Sequence, residues 1–534
     1  MQAEKHGYSS MRYLPISCIS KGSRNSFRAT KAFVSELILK EGYTMRKTLL
    51  ILLAAMLFAN LSFAQEYLQK YYPETDTLVL KKLRKWQDAK FGLLMHWGTY
   101  SQWGVVESWS ICAEDEGWER RSDSNYTDYK QKYENLITTF DPIKFDPNKW
   151  AEAAKDAGMR YIVFTTKHHD GFCMFDTKTT DYKITGQQCP FHTDPRANVT
   201  KEIFNTFRDN GFMIGAYFSK PDWHCPYYWW PNFATPDRNP NYSVKRYPDR
   251  WQQFVEFTQT QIDELMSNYG RMDILWLDGG WVRKKTEQEI IQEKLTADYP
   301  VFPQSQDIDM PLNVKNARQK QPGLIVVDRA VPGPYQDYLT PENTVPDKPL
   351  PYPWETCMPM GTSWSYVPHD KYKSVHELIG LLVDIVSKGG NFLLNIGPSP
   401  EGEWSPNAYD RLKGVAAWMK VNGGAIYGTH PVSPYKEGKV RLTQLDDGTT
   451  YAIYLANKDE DRPPQKIWMT NIQPANGAKL TMFGSNKELK WQRVGQGFEA
   501  DVPQEFQDHP PCHDAWVLKI SRIKSNSADE SFNN

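Results

Sequence analysis

RMDILWLDGGW, residues 271–281, is the stretch that decides the fold of this 534-residue chain. Its apolar run ends on the carboxylate of Asp278, and Gly279 and Gly280 then interrupt it beside Trp281. The pattern predicts a buried strand that presents Asp278 at its C-terminal end, just before a loop. Because side chains alternate along a strand, Trp276 lies on the same face as Asp278. The alternative is a purely structural Gly-Gly turn that follows a core strand and is capped by an aspartate.

Short apolar strands alternate with amphipathic helices on both sides of this stretch, from about residue 74 to residue 427. The strand candidates are 91–96, 161–169, 212–219, 272–278, 324–328 and 391–396, and the helix candidates are 148–156, 201–209, 249–267, 286–295 and 375–387. Repeated strand–helix units over this length predict an irregular parallel (β/α)8-like barrel rather than an open doubly wound sheet. The sequence has no GxGxxG after the first strand, no P-loop, no GxSxG and no HExxH, which argues against nucleotide binding and against those hydrolase classes.

The pattern changes after about residue 430. Seven short alternating segments, separated by Gly, Asn and Asp turns, occupy 440–444, 450–456, 466–469, 479–483, 490–493, 497–501 and 515–520. They predict an all-β sandwich. We therefore expect a catalytic domain at 65–428, a β-sandwich domain at 429–523 and a disordered tail at 524–534.

The N-terminus has the pattern of a secretory signal peptide at residues 45–64. A short basic region begins at Met45, an apolar run covers 48–61, and Ser-Phe-Ala precedes a cleavage point after Ala64. Residues 1–44 then read as an upstream over-call of the reading frame, and the mature protein is expected to be secreted or periplasmic. A membrane anchor is the weaker alternative, because the apolar run is shorter than the roughly 20 residues that a spanning helix needs.

The composition excludes several classes of partner. The formal net charge is −1, so the chain has no basic field that would attract nucleic acid. Six cysteines follow the signal peptide, and none forms a CxxC pair or a zinc-type spacing with histidines, which argues against a structural metal. The 19 Trp, 29 Tyr and 24 Phe residues are compatible with a dense core and also with a carbohydrate site.

Polar or aromatic residues stand at or near the ends of five of the six predicted barrel strands. They are His96 and Trp97, His168 and His169, Tyr217, Trp276 and Asp278, and Asp328 and Arg329. Because the C-terminal ends of parallel barrel strands face one active site, these groups are expected to converge. Indole rings and histidines around a carboxylate suit a sugar, which offers C–H faces and hydroxyls. A catalytic metal is not predicted, since the nearby carboxylates lack ligand spacing and adjacent strand residues point to opposite faces.

Hydrolysis of a glycosidic bond requires two carboxyl groups. Asp278 is the best-placed candidate for the nucleophile or base. Glu342 and Glu355, on later loops, and Glu107, on an earlier one, are candidates for the acid. The residues alone do not choose among these three.

Four segments resemble, in order, the signatures of the α-L-fucosidases of glycoside hydrolase family 29. They are KFGLLMHWG at 90–98, KHHDGF at 167–172, WLDGG at 276–280 and SKGGNFLLNIGP at 387–398. The resemblance implies a retaining, two-step mechanism without a cofactor. It also implies that Asp278 is the nucleophile that forms a covalent fucosyl-enzyme.

The resemblance assigns further site residues. It implies substrate binding by His96, Trp97, His168, His169, Tyr217, Trp276, Arg329 and Trp109. Glu342 matches the acid/base position, since Thr340-Pro341-Glu342 lies upstream of the pair Trp354-Glu355, and Glu355 is the reserve. The family's adjacent Glu-Trp pair appears here as Glu107-Ser108-Trp109, which puts the role of Glu107 in doubt, and Phe218 replaces a second tyrosine.

The expected activity is therefore exo-hydrolysis of terminal α-L-fucosyl groups on oligosaccharides or glycoconjugates. The alternatives are an α-L-galactosidase of the same fold and a non-catalytic fucose-binding relative. The sequence leaves open the linkage preference, the role of the β-sandwich and the oligomeric state, a homo-oligomer included.

Overall fold

The computed structural model describes residues 71–112, 125–297, 301–485 and 487–524. The predicted signal peptide, the upstream segment and nearly all of the predicted tail lie outside these ranges. The described helices are α1 Thr77–Ala89, α2 Tyr126–Glu134, α3 Pro147–Asp156, α4 Val199–Asp209, α5 Pro248–Asn268, α6 Glu287–Thr296, α7 Met310–Lys320, α8 Val375–Ser387, α9 Pro406–Asn422 and α10 Gln504–Asp508. Among the described residues, no helix is both long and apolar enough to cross a membrane.

Seven parallel strands form the wall of the barrel. They are β1 Phe91–Met95, β2 Tyr161–Lys167, β3 Met213–Ser219, β4 Ile274–Asp278, β5 Ile325–Asp328, β6 Glu355–Pro359 and β7 Asn391–Asn395. Their order is β5-β4-β3-β2-β1-β7-β6, so β5 and β6 are the two edges. This confirms the prediction of an irregular parallel barrel. Strand β6 is a strand that sequence patterning missed.

The segment from Gln336 to Glu342 spans the gap between β5 and β6. Gln336 forms an antiparallel bridge to Val327 of β5, and Glu342 forms a parallel bridge to Cys357 of β6. A hydrogen bond of 2.8 Å from the Glu355 amide to the Leu339 carbonyl adds a further link to β6. The irregularity of the barrel thus lies in the segment that carries one of the candidate carboxyl groups.

Strand β4 shows why its sequence is an almost continuous apolar run. Leu275 and Leu277 pack outward in the core under the helices, whereas Ile274 and Trp276 pack inside the barrel. A parallel strand covered on both faces buries every residue, so no polar alternation appears. Asp278 follows Trp276 on the inner face, as predicted from the period of two.

The C-terminal part contains two antiparallel sheets. The strands are β8 His430–Glu437, β9 Val440–Gln444, β10 Thr450–Leu455, β11 Lys466–Met469, β12 Leu480–Met482, β13 Trp491–Val494, β14 Gly497–Asp501 and β15 Ala515–Ile520. Five of them have the order β12-β15-β10-β9-β8 and three have the order β11-β14-β13. Leu442 and Trp516 of the larger sheet share one core with Ile467 and Phe498 of the smaller sheet, which confirms the all-β sandwich.

Candidate active site

A cavity of about 380 Å³ opens at the C-terminal ends of the barrel strands. Nine of the residues predicted from the sequence line it: His96, Trp109, His168, His169, Tyr217, Trp276, Asp278, Arg329 and Glu342. They come from distant parts of the chain, and the parallel barrel brings them together because all the strands point the same way.

Asp278 is the last residue of β4 and is held by three neighbours. The Tyr217 hydroxyl donates to its Oδ2 at 2.7 Å, the Arg329 guanidinium donates to its Oδ1 at 3.0 Å, and His169 Nε2 lies 3.8 Å from Oδ2. Burial by itself would raise the pKa of Asp278, but Arg329, His169 and Tyr217 together hold that pKa far below its ordinary value. The carboxylate is therefore ionised and fixed in orientation.

The turn after Asp278 depends on glycine. Gly279 has a φ of +87°, and a Cβ built on it would lie 2.3 Å from Cδ of Pro221. Only glycine meets both conditions, which explains the first glycine of the Gly-Gly pair in the opening stretch. The positive φ lets the chain turn immediately after the carboxylate.

Glu342 is the second carboxyl group of the cavity and forms an ion pair with Arg329. Arg329 thus contacts both Asp278 and Glu342, and one guanidinium joins the two carboxylates. The side chain of Glu342 is 39% exposed, against 15% for Asp278. Glu342 therefore lies towards the mouth of the cavity and Asp278 deeper inside.

Three buried histidines provide uncharged polar groups. Burial lowers the pKa of His96 to about 4 and that of His169 to about 3, and it lowers the pKa of His168 well below the ordinary value. Asn395 Oδ1 accepts from the His96 backbone amide at 3.2 Å and lies 2.9 Å from His96 Nδ1, so Nδ1 carries the proton and Nε2 is left as an acceptor. Neutral imidazoles of this kind can bond to sugar hydroxyls.

His168 and His169 lie on the same side, contrary to the expectation from strand alternation. Their ring centroids are only 4.2 Å apart, because β2 ends at Lys167 and the two residues begin the following turn. Ligand atoms of His168, His169 and Asp278 lie within 4.8 Å of one another, a distance at which they could share a cation. Arg329 already supplies the positive charge beside Asp278, so hydroxyl binding is the better interpretation of this group.

Aromatic rings form the floor and walls. Tyr217 and Trp276 stack at 5.2 Å with an interplanar angle of 23°, and both are buried inside the barrel. Trp109 lies 5.1 Å from His169 and 5.9 Å from Trp281 between ring centroids. The polar groups therefore stand between flat apolar surfaces.

Trp97, a predicted substrate-binding residue, does not line the cavity. Its side chain is buried against Phe140, Phe145 and Trp150, and its indole nitrogen donates to the Ser399 carbonyl at 3.0 Å. Trp97 follows His96 directly, and of these two neighbours only His96 reaches the cavity.

Glu355, the reserve acid/base, was expected on a loop and is instead the first residue of β6. Its side chain is fully buried in the barrel interior and does not line the cavity. The missed strand explains the error: a carboxylate that begins a strand lies at the end of the barrel opposite to the active site.

Seven lining residues were not assigned from the sequence: Leu94, Arg238, Gly280, Trp281, Ala330, Cys357 and Trp364. Glu107, one of the three candidates for the acid, also lines the cavity. Glu107 has a φ of +31° and accepts from the Ser365 amide at 2.8 Å, and the Arg238 guanidinium carbon lies 5.0 Å from the centroid of Trp109. Trp281 was visible in the opening stretch, whereas Arg238 and Trp364 lie in loops without a recognisable pattern.

Ser108, inserted between Glu107 and Trp109, supports the site from behind. Its hydroxyl lies 2.6 Å from His168 Nδ1 and accepts from the Asp170 amide at 2.9 Å. Glu107 and Trp109 both still reach the cavity. Compared with an adjacent Glu-Trp pair, the segment Glu107-Ser108-Trp109 therefore keeps the Glu and Trp side chains at the cavity and adds a contact from Ser108 to His168.

Comparisons with known proteins agree with the four sequence motifs. Residues 58–424 match the family model for Alpha-L-fucosidase. The tissue alpha-L-fucosidase of Mus musculus is 28% identical over 482 residues, which cover 85% of this chain and 95% of that protein.

Two solved structures are similar over most of the chain. The alpha-L-fucosidase isoenzyme 1 from Paenibacillus thiaminolyticus is 28% identical with a TM-score of 0.65, and the match covers 84% of this chain and 100% of that one. The Thermotoga maritima alpha-fucosidase in complex with a mechanism-based inhibitor is 26% identical with a TM-score of 0.63, covering 85% and 100%.

Proposed function

Because the chain belongs to the alpha-L-fucosidase family of glycoside hydrolases, we propose that it is an exo-acting, retaining enzyme that removes terminal α-L-fucosyl groups from glycans. The observation that carries this proposal is the pair of carboxyl groups, Asp278 and Glu342, which meet on Arg329 in one cavity. The Thermotoga maritima relative that was solved with a mechanism-based inhibitor supports a double displacement.

In the first step Asp278 attacks the anomeric carbon. The bond between that carbon and the leaving oxygen breaks, and Glu342 donates a proton to the oxygen. The low pKa of Asp278 supports its role, since the nucleophile must be ionised at the pH of the reaction. The product of this step is a covalent fucosyl-enzyme and a free alcohol.

In the second step Glu342 takes a proton from water, and the water oxygen attacks the anomeric carbon. The bond to Asp278 breaks and fucose leaves with its original anomeric configuration. The ion pair with Arg329 supports the assignment, because it holds the Glu342 carboxyl group in the same cavity as Asp278.

The other residues of the cavity hold the sugar. His96, His168 and His169 are uncharged and can exchange hydrogen bonds with vicinal hydroxyls, and Trp276 and Tyr217 offer flat faces to C–H groups. A cavity of about 380 Å³ with a floor of buried rings suits one terminal sugar rather than the middle of a chain, which supports exo-action. A secreted location, fucosylated glycans as substrates and residues 65–428 as the catalytic domain complete the proposal.

The test is hydrolysis of p-nitrophenyl α-L-fucoside by the wild type and by Asp278→Ala. We expect turnover by the wild type, a loss of at least about a thousandfold in the variant, and rescue by azide with formation of the inverted fucosyl azide. Near-normal turnover by Asp278→Ala would rule out the assignment of the nucleophile. Lack of hydrolysis by the wild type, on both the aryl fucoside and fucosylated oligosaccharides, would overturn the enzyme proposal in favour of a non-catalytic binding protein.

Two further measurements separate the alternatives. Glu342→Ala should still cleave aryl fucosides, whose leaving groups need little protonation, but should fail on natural linkages. A comparison with p-nitrophenyl α-L-galactoside decides specificity, because L-galactose differs from fucose only by a hydroxyl on the C5 methyl group. A higher kcat/KM on the galactoside would favour the α-L-galactosidase alternative.

A further inference from the structure

Glu355 is a buried carboxyl group at the opposite end of the barrel from Glu342. The Tyr161 hydroxyl donates to its Oε2 at 2.7 Å, and the Trp276 indole nitrogen donates to its Oε1 at 3.3 Å. The Tyr338 hydroxyl and the Trp86 indole N–H also lie near enough to lower its pKa, although neither forms a hydrogen bond of good geometry. Among the described residues, no Lys, Arg or His forms an ion pair with this carboxyl.

This environment is a costly one for a carboxyl group. Burial raises the pKa of Glu355 to about 7, and the surrounding donors oppose that rise. Burying a carboxyl without a cation is unfavourable, and an apolar side chain of similar size would fill the barrel at less cost. Packing alone therefore does not explain why a carboxyl group occupies this position.

Trp276 connects Glu355 to the reacting group. Its ring stacks on Tyr217 at 5.2 Å, and the Tyr217 hydroxyl in turn donates to Asp278 Oδ2 at 2.7 Å. The guanidinium carbon of Arg329 also lies 5.5 Å from the Trp276 ring centroid. Trp276 thus contacts two of the three neighbours of Asp278, and the only polar atom of its side chain donates to Glu355.

We propose that Glu355 is a positioning residue: its carboxyl group fixes the Trp276 indole from inside the barrel, and Trp276 fixes Tyr217 and, through it, Asp278. Glu355 does not line the cavity, so it acts through Trp276 and does not reach the leaving oxygen. This inference rests on the proposed function, in which Asp278 is the nucleophile.

A double-mutant cycle of Glu355→Gln and Trp276→Phe tests the proposal. In the wild-type background, Glu355→Gln should lower kcat on p-nitrophenyl α-L-fucoside about tenfold and leave KM within about twofold, because a misaligned nucleophile weakens the transition state more than sugar binding. In the Trp276→Phe background, which lacks the indole N–H, the same change should alter kcat less than about twofold. Equal effects of Glu355→Gln in the two backgrounds would overturn the proposal.

The matched control is Asp273→Asn. Asp273 is also a buried carboxyl near the N-terminal end of a barrel strand, where its Oδ2 accepts from the Ile214 amide at 2.9 Å. Unlike Glu355, it forms ion pairs, with Lys82 and Arg271, and it has no contact with Trp276 among those described. The Asp273→Asn substitution is expected to lower the melting temperature, while kcat stays within about twofold of the wild-type value. A fall in kcat as large as that of Glu355→Gln would indicate a general effect of the barrel interior and would overturn the specific role.

Tyr161→Phe covers the case in which Glu355→Gln does not fold. It removes one donor to Glu355 and keeps the ring, so kcat should fall a few-fold in the wild-type background and hardly at all with Trp276→Phe. Equal effects in both backgrounds would contradict the proposal. A wild type without fucosidase activity would overturn the proposed function and this role with it, whereas an active wild type with additive variants would overturn this role alone.

Discussion

Ser108→Ala tests whether the inserted serine orients His168, for which we propose a role in binding the sugar. The change removes a hydrogen bond of 2.6 Å to His168 Nδ1 and an acceptor, at 2.9 Å, for the Asp170 amide, both in a fully buried setting. A net hydrogen bond contributes about 0.5–1.5 kcal/mol, so the loss at His168 should lower kcat/KM roughly 2- to 13-fold. The unpaired Asp170 amide should separately lower the free energy of unfolding by about 1–3 kcal/mol.

Steady-state kinetics on p-nitrophenyl α-L-fucoside and thermal unfolding measure these two effects. Ser101→Ala is the control, because Ser101 is also buried and its hydroxyl donates to the Gly98 carbonyl at 2.8 Å without facing the cavity. We expect the control to lose some stability and to keep the kcat/KM of the wild type. An unchanged kcat/KM for folded Ser108→Ala would refute the reasoning, since either His168 would not bind the sugar or Ser108 would not orient it.

Three further perturbations have defined outcomes. Arg329→Met removes the cation that opposes the effect of burial on Asp278, so the pKa of Asp278 should rise. Asp278 is then protonated at pH values where the wild type is active, and the acid limb of the kcat/KM profile should move to higher pH. Gly279→Ala places a Cβ at a residue with a positive φ and in contact with Pro221. It should lower the free energy of unfolding by about 1–3 kcal/mol and kcat by roughly 10- to 100-fold. An unfolding free energy and a kcat like those of the wild type would contradict this. Trp97→Ala should lower the free energy of unfolding by about 3–5 kcal/mol but leave KM of the remaining folded enzyme within about twofold, and a large rise in KM would restore Trp97 as a substrate contact.

Sequence reasoning worked where a local period decides the position of a side chain. The alternation along β4 placed Trp276 and Asp278 on the inner face, and the parallel strands implied that His96, Tyr217 and Asp278 converge. Both inferences depend only on strand geometry, which the apolar runs and the following glycines make visible. The overall fold class followed from the same features, whereas the family resemblance rested on four sequence motifs.

Residues beyond the regular strands depended on the tertiary structure. His168 and His169 both face the cavity because β2 ends before them, which no alternation rule predicts. Ser108 contacts His168 across 60 residues of sequence, and this contact has no local signal.

The two late carboxyl groups show most clearly what the sequence by itself determined and what it did not. It identified Glu342 and Glu355 as candidates but placed both on loops. The structure puts Glu342 on the irregular segment that bridges β5 and β6 beside Arg329, and it puts Glu355 at the start of β6, inside the barrel. Residue type determined that Glu342 and Glu355 could each carry a proton. Only the closure of the barrel decided which of the two faces the cavity, because closure depends on long-range strand pairing rather than on neighbouring residues.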